Sequence, residues 1–214
     1  MGKSMAVLGL GRYGSSLANA LYEMGTDVMV VDNDKDLIQD FSDKSTVAMV
    51  ADLANEDEVK ELGLSNMDVV IVTMGSDLQA SIMCVMVAKE QGVPLVIAKA
   101  ASERMAKVLK RVGADQIAMP EKESGIRLAR ILNSNSFLEF FAIDENLCLI
   151  KMKPKEKWLG KNLMELNLRK KYRVNVISVM DGSGKWSSID PERPLTEDMD
   201  LLVVAENDDL KKLQ

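Results

Sequence analysis

The chain has 214 residues, 47% hydrophobic and 28% charged, with 27 basic against 33 acidic side chains and a formal net charge of -6. It has no histidine and only two cysteines. That excludes Ser-His-Asp and Cys-His nucleophiles, imidazole metal ligands, Cys-rich zinc sites and a disulfide framework. The acidic balance offers no general basic face for nucleic acid. In chain order, apolar runs rich in Val and Ile predict strands at 4–10, 27–32, 46–51, 68–74, 95–100 and 116–119. Continuous runs of this kind suit parallel strands buried on both faces. Amphipathic segments at 14–24, 35–42, 55–62, 77–91 and 102–112 predict helices between them. Gly25, Gly63, Gly92 and Gly113 follow four of these helices, where C-terminal caps favour glycine.

A further helix is expected at 121–134, and then the rhythm changes. Strands are expected at 137–143, 147–152, 174–180 and 201–205, with helices at 162–171 and 208–213 and a turn at 181–184. The fold class read from this pattern is α/β. A Rossmann-like doubly wound parallel sheet occupies 1–134, and a smaller α+β domain occupies 135–214. No apolar run approaches the roughly 20 residues of a membrane helix, and the start carries no secretory leader. With both cysteines reduced, the chain reads as cytoplasmic. Five lysines between Lys151 and Lys161 read as a solvated face. Met5, Met24, Met49, Met74, Met83 and Met86 are expected as core fillers, and Cys84 and Cys148 as small buried hydrophobes. Trp158 and Trp186 fit either core or a surface between copies.

The segment Gly9-Leu10-Gly11-Arg12-Tyr13-Gly14 is a GxGxxG match between an expected strand and an expected helix. Gly9 permits the tight turn, Gly11 lets backbone approach a pyrophosphate, and Gly14 allows close helix–strand packing. Amides at the helix N-terminus would then hold the phosphates. Asp32 ends the second strand, where a carboxylate accepts from ribose hydroxyls and repels a 2′-phosphate. The plainer reading makes Asp32 a helix cap; both roles can hold with Asp34 as the cap. Asp52 and Leu53 follow the third strand, Met74 and Gly75 the fourth, and Lys99 closes the fifth. Strand ends line the crevice of such folds, so each is a candidate contact. The bland alternatives are a cap for Asp52, a turn for Gly75 and a solvated lysine for Lys99. A dehydrogenase also needs an acid–base group. Without histidine, the architecture reads better as a nucleotide sensor than as a redox enzyme.

These residues, together with Pro120-Glu121-Lys122-Glu123-Ser124-Gly125, Leu159-Gly160-Lys161, residues 166–172 and residues 198–204, resemble one family along nearly the whole chain. It is similar to the cytoplasmic gating subunits of Ktr/Trk-type potassium uptake systems, built from RCK (regulator of potassium conductance) domains. The resemblance implies a nucleotide-binding N-terminal lobe and a C-terminal RCK subdomain. It implies ATP/ADP or NAD(H) as ligand, and homodimers that assemble into an octameric ring beneath a membrane-embedded potassium-translocating partner. By the same resemblance Arg12 reaches terminal phosphates across the dimer. Glu121 helps hold Mg2+ or another cation near them, and cyclic di-AMP is a candidate second effector near Arg169, Ile177 and Pro191. The alternatives are a small NAD-dependent dehydrogenase and a redox-sensing repressor. The second would need a basic helix-turn-helix, which neither end supplies.

Overall fold

The computed structural model describes residues 2–213. The chain forms two compact units, one ending at Glu121 and one beginning at Lys122. The first unit holds strands β1 (Ser4–Leu8), β2 (Asp27–Asp32), β3 (Val47–Val50), β4 (Val69–Val72), β5 (Leu95–Lys99) and β6 (Gln116–Ala118). They form a parallel six-stranded sheet in the order β3-β2-β1-β4-β5-β6. Helices α1 (Arg12–Glu23), α2 (Lys35–Asp40), α3 (Glu56–Glu61), α4 (Leu78–Glu90) and α5 (Glu103–Val112) fill the crossovers. The strand order reverses between β1 and β4, and ligands of open α/β sheets bind beyond the strand C-termini at such a point.

Side-chain alternation explains the continuous apolar runs. Val7, Val28, Val30 and Ile71 pack into the core on one sheet face. Ala6, Leu8, Val31, Val70, Val72 and Val96 pack on the other. Strands buried on both faces have no polar side to show. Asp34, Asn55, Asp77 and Ser102 cap α2, α3, α4 and α5 through their side chains, each meeting a backbone amide that the helix leaves orphaned. Strand β1 is shorter than expected. Gly9 turns out of it at φ +96°, and the Leu10 amide donates to the Asp32 carboxylate instead of a neighbouring strand.

The second unit takes up nearly all of helix α6 (Pro120–Leu132) and then β7 (Phe137–Ala142), β8 (Leu147–Met152), β9 (Val174–Met180), β10 (Trp186–Ser187) and β11 (Asp200–Glu206). These strands make a five-stranded antiparallel sheet in the order β10-β9-β11-β8-β7. Its core gathers Ile150, Met152, Trp158, Leu201 and Val203. The unit boundary falls at Glu121, whereas the sequence suggested Ser134, because α6 belongs with the antiparallel sheet. Ile131 packs on the second core, and Arg130 donates to the Asn207 side chain at 2.8 Å.

Three expectations change here. The helix read at 162–171 is two, α7 (Leu163–Leu166) and α8 (Leu168–Tyr172), split where Asn167 turns left-handed at φ 47°. Short strand β10 was not foreseen. Met24 and Met86 are exposed, at 78% and 42%, so they are not core fillers. Both cysteines are buried. Trp158 is core, and Trp186 lies on the surface. Helix α9 (Leu210–Leu213) ends the described fold.

Candidate nucleotide site

The glycine loop leaves β1 and enters α1 at the reversal of strand order. Gly14 has no room for a side chain: a Cβ there would overlap the Gly9 carbonyl oxygen and press on the Thr73 hydroxyl. Gly11 is the reverse case, with nothing within 4 Å of a built Cβ. Its backbone is ordinary extended chain. Folding therefore does not demand glycine at position 11, and the space over it is open. Gly11 caps α1 without a side-chain hydrogen bond, and no acidic residue stands in the first turn. That differs from α2 to α5, each capped by a side chain. The first-turn amides of α1 thus lack the partner that Ser, Asp or Asn provides elsewhere, and they carry the positive end of the helix dipole.

The loop's shape is set from a distance. Thr73, buried just beyond β4, points its hydroxyl at the carbonyls of Leu8 (3.0 Å) and Gly9 (2.6 Å). The sequence reading missed Thr73. Its only signal was a hydroxyl closing an all-apolar run, and its partners lie more than sixty residues earlier.

Asp32 does two backbone jobs. One carboxylate oxygen accepts the Leu10 amide, and the other accepts the Asp34 amide at 2.9 Å. Asp34 is the cap of α2, so Asp32 is not. Each carboxylate oxygen has further lone pairs, which leaves capacity for a hydroxyl donor. Asp52 is not a cap either; that position is Asn55. The Asp52 side chain accepts the Ala54 amide at 2.9 Å and so shapes the turn after β3. Asp32, Asp52, Leu53, Met74 and Asp77 line one small cavity of about 90 Å³. Ligand pockets usually exceed about 300 Å³, so this cavity is too small to enclose a whole nucleotide.

Lys99, Glu121, Tyr13 and Gly75 form a second group on the β5 side. The Lys99 ammonium is 2.6 Å from the Glu121 carboxylate and 5.6 Å from the centre of the Tyr13 ring. The Lys99 stem crosses Gly75, where a Cβ would come within 3.1 Å of it. Lys99 is thus a partnered, largely covered cation, and Gly75 is where it lies. Its hydrogen bond to Glu121 holds that carboxyl below the usual glutamate value, helped by the Glu121 backbone amide. Among the described residues no group of three His, Cys, Asp or Glu stands together as a metal site.

The comparisons with known proteins bear on this geometry. Residues 5–120 match the family model of the TrkA-N domain. The chain belongs to the TrkA family. Residues 148–214 match the TrkA-C domain as well. Ktr system potassium uptake protein C of Bacillus subtilis is 36% identical over 182 residues, covering 85% of this chain and 82% of that protein. Protein A of the same organism's Ktr system is 30% identical over 212 residues, covering 99% and 96%. The RCK domain of GsuK has the same fold, with a TM-score of 0.66 at 17% identity over 99% of this chain. The match spans only 46% of that GsuK chain. The TrkA-N domain of the inner membrane protein ybaL from Escherichia coli matches 62% of this chain and 98% of its own, at 20% identity and a TM-score of 0.55. The likeness to RCK proteins and to Ktr/Trk potassium uptake systems thus holds along the chain.

Proposed function

We propose that this TrkA-family chain is a nucleotide-sensing regulatory subunit of a potassium uptake system. The observation that carries the reading is Gly11: open space over a glycine the fold does not need, at an uncapped helix N-terminus. Phosphates would sit on the α1 amides. Asp32 would take the ribose hydroxyls while bracing the loop, and its charge would disfavour NADP. Asp52, Leu53 and Met74 would border the nucleoside, and Lys99 and the exposed Arg12 would meet the outer phosphates. The chain's relatives are named potassium uptake proteins, and a GsuK channel, 38% of whose chain this fold covers, is described as bound to NAD.

ATP carries one phosphate more than ADP. If only ATP reaches Arg12 of a second copy, the two nucleotides favour different arrangements of the pair, as a population shift requires. We infer homodimers gathered into an octameric ring on the cytoplasmic face of the membrane. No helix among the described residues is long and apolar enough to cross a membrane, so ion passage would be the work of a membrane-embedded partner. A bound cation would need oxygens from the phosphates themselves and is not part of this reading. The dehydrogenase alternative is not favoured, because the relatives are named potassium uptake proteins. The test is titration of ATP, ADP and NAD into wild type and Gly11→Asp. Loss of binding in the variant is expected. Equal affinity in both proteins, or turnover of NADH with a small carbonyl, would overturn the proposal.

A second effector reading rests on a separate pocket. Leu163, Asn167, Arg169, Val176 and Pro191 are among the residues lining a cavity of about 330 Å³ in the second unit. A cyclic dinucleotide such as cyclic di-AMP would present a phosphate to Arg169 there. Calorimetry on the full chain should give heat with cyclic di-AMP that Arg169→Ala abolishes; no heat in wild type ends this reading.

A further inference from the structure

Lys99 and Glu121 make an unequal pair. The Lys99 side chain is 14% exposed and the Glu121 side chain 67%. The cation is the fixed member. Its stem lies against Gly75, just after β4, and its ammonium stands 5.6 Å from the centre of the Tyr13 ring. Tyr13 belongs to the first turn of α1, so the charge faces the helix end where phosphates would bind. A covered ammonium is costly to keep without an anion beside it. The carboxylate is the loose member. One oxygen meets Lys99 at 2.6 Å, yet most of the side chain already stands in water.

The pair also has a particular place in the chain. Lys99 closes β5, and Glu121 stands in the first turn of α6. Glu121 is the last residue of the first unit, and α6 runs on from it into the second. The ion pair therefore fastens the head of α6 to the end of β5. Its hydrogen bond holds the Glu121 carboxyl below the usual glutamate value, so the carboxylate is charged at neutral pH. A phosphate arriving at the same ammonium would bring a second anion to one covered cation. The ammonium has donors enough for both, but the two anions repel each other. A phosphate carries the larger charge and makes the stronger charge-assisted bond. Glu121 loses little by turning to water, because it is already mostly there.

We propose that Lys99 is handed from Glu121 to a nucleotide phosphate, so that Glu121 is a built-in competitor of the ligand and binding unfastens the head of α6 from β5. This rests on the nucleotide reading above and specifies how that site is regulated. Without ligand, Glu121 answers Lys99 and the first turn of α6 is held. With ligand, the phosphate answers Lys99 and that hold is lost. Tyr13 and Gly75 keep the ammonium in place in both states. Occupancy of the crevice is thereby registered at the residue where the first unit ends.

The experiment titrates ADP into the full chain by calorimetry, at constant ionic strength and with EDTA present. Wild type, Glu121→Gln, Lys99→Met and the double variant are compared. Glu121→Gln should bind ADP about two- to fivefold more tightly, the fold-change of an exposed ion pair. Lys99→Met should bind more weakly, and adding Glu121→Gln to it should change nothing. A general relief of negative charge would still tighten binding in the Lys99→Met background; competition for Lys99 cannot. Amide hydrogen exchange over residues 120–132 gives a second readout. ADP should speed exchange there in wild type, whereas Glu121→Gln should exchange fast with or without ADP. If Lys99→Met does not fold, the exchange measurement decides. ADP affinity unchanged or weakened by Glu121→Gln, an equal gain in the Lys99→Met background, or exchange that ADP does not speed overturns the handover and leaves the nucleotide reading standing. No binding of ADP to wild type overturns both.

Discussion

Gly11 and Gly14 stand three positions apart and differ in what a methyl group would meet. At Gly14 it would strike backbone and the Thr73 hydroxyl; at Gly11 it would meet nothing. Gly14→Ala should therefore cost about 1–3 kcal/mol or more from overpacking, read as a lower denaturation midpoint. Gly11→Ala should keep the wild-type midpoint and lose nucleotide affinity. Thr73→Val keeps the shape but strips the hydroxyl from two carbonyls, and a loss of about 1–3 kcal/mol is expected for the exposed deficit. Cys84 is fully buried, and desolvation first, then the charge of Asp77, pushes its thiol up to about 12. The Cys148 thiol is raised too, chiefly by burial. Neither should react with an aromatic disulfide reagent at pH 8 until the chain is unfolded, when both should.

At the scale of elements, Asp115 ties β5 to the turn before β6. Its carboxylate accepts the Val96 amide at 2.7 Å and the Lys89 ammonium at 3.0 Å. The Val96 hydrogen bond first, and then Lys89, hold it below the usual aspartate value of 3.8. The stabilisation is present above that ordinary value and fades as pH falls through the depressed one. Asp115→Asn should lower the melting temperature at pH 7, and the gap should close as pH drops below about 3.8. Much of the element order was legible for physical reasons. Strands such as Val69–Val72 are buried on both sides, and helix ends carry Asp34, Asn55, Asp77 or Gly63 where orphan amides or a positive φ require them. Asn167 was missed because a left-handed asparagine leaves the apolar spacing of Leu163, Leu166 and Leu168 intact. Strand β10 was missed because two residues have no periodicity; only their pairing with Val179 and Met180 makes them a strand. The candidate site was legible where it coincides with chain punctuation: Gly9, Gly11, Gly14, Asp32 and Lys99. Its bracing by Thr73 and the Lys99–Glu121 pair depends on contacts between distant segments, which no local pattern records.

For the whole molecule, helix α6 is the most open apolar stretch of helix that bears on the proposed assembly. No residue of that helix is fully buried, and Ile126, Leu128 and Leu132 are 45%, 55% and 76% exposed. Apolar side chains this open fit the proposed contact with a second copy. Light scattering should report an oligomer, and Leu128→Ser with Leu132→Ser should shift it toward smaller species without changing the far-UV spectrum. A monomeric wild type would count against the proposed assembly. The glycine loop, for its part, borrows its rigidity from elsewhere in the chain. Thr73 reaches back to Leu8 and Gly9 across more than sixty residues. The GxGxxG segment is therefore not a portable cassette: grafted onto another sheet, it would bring its glycines but leave its scaffolding behind. Any transplant that works should be one in which a hydroxyl at the end of the neighbouring strand moves with it.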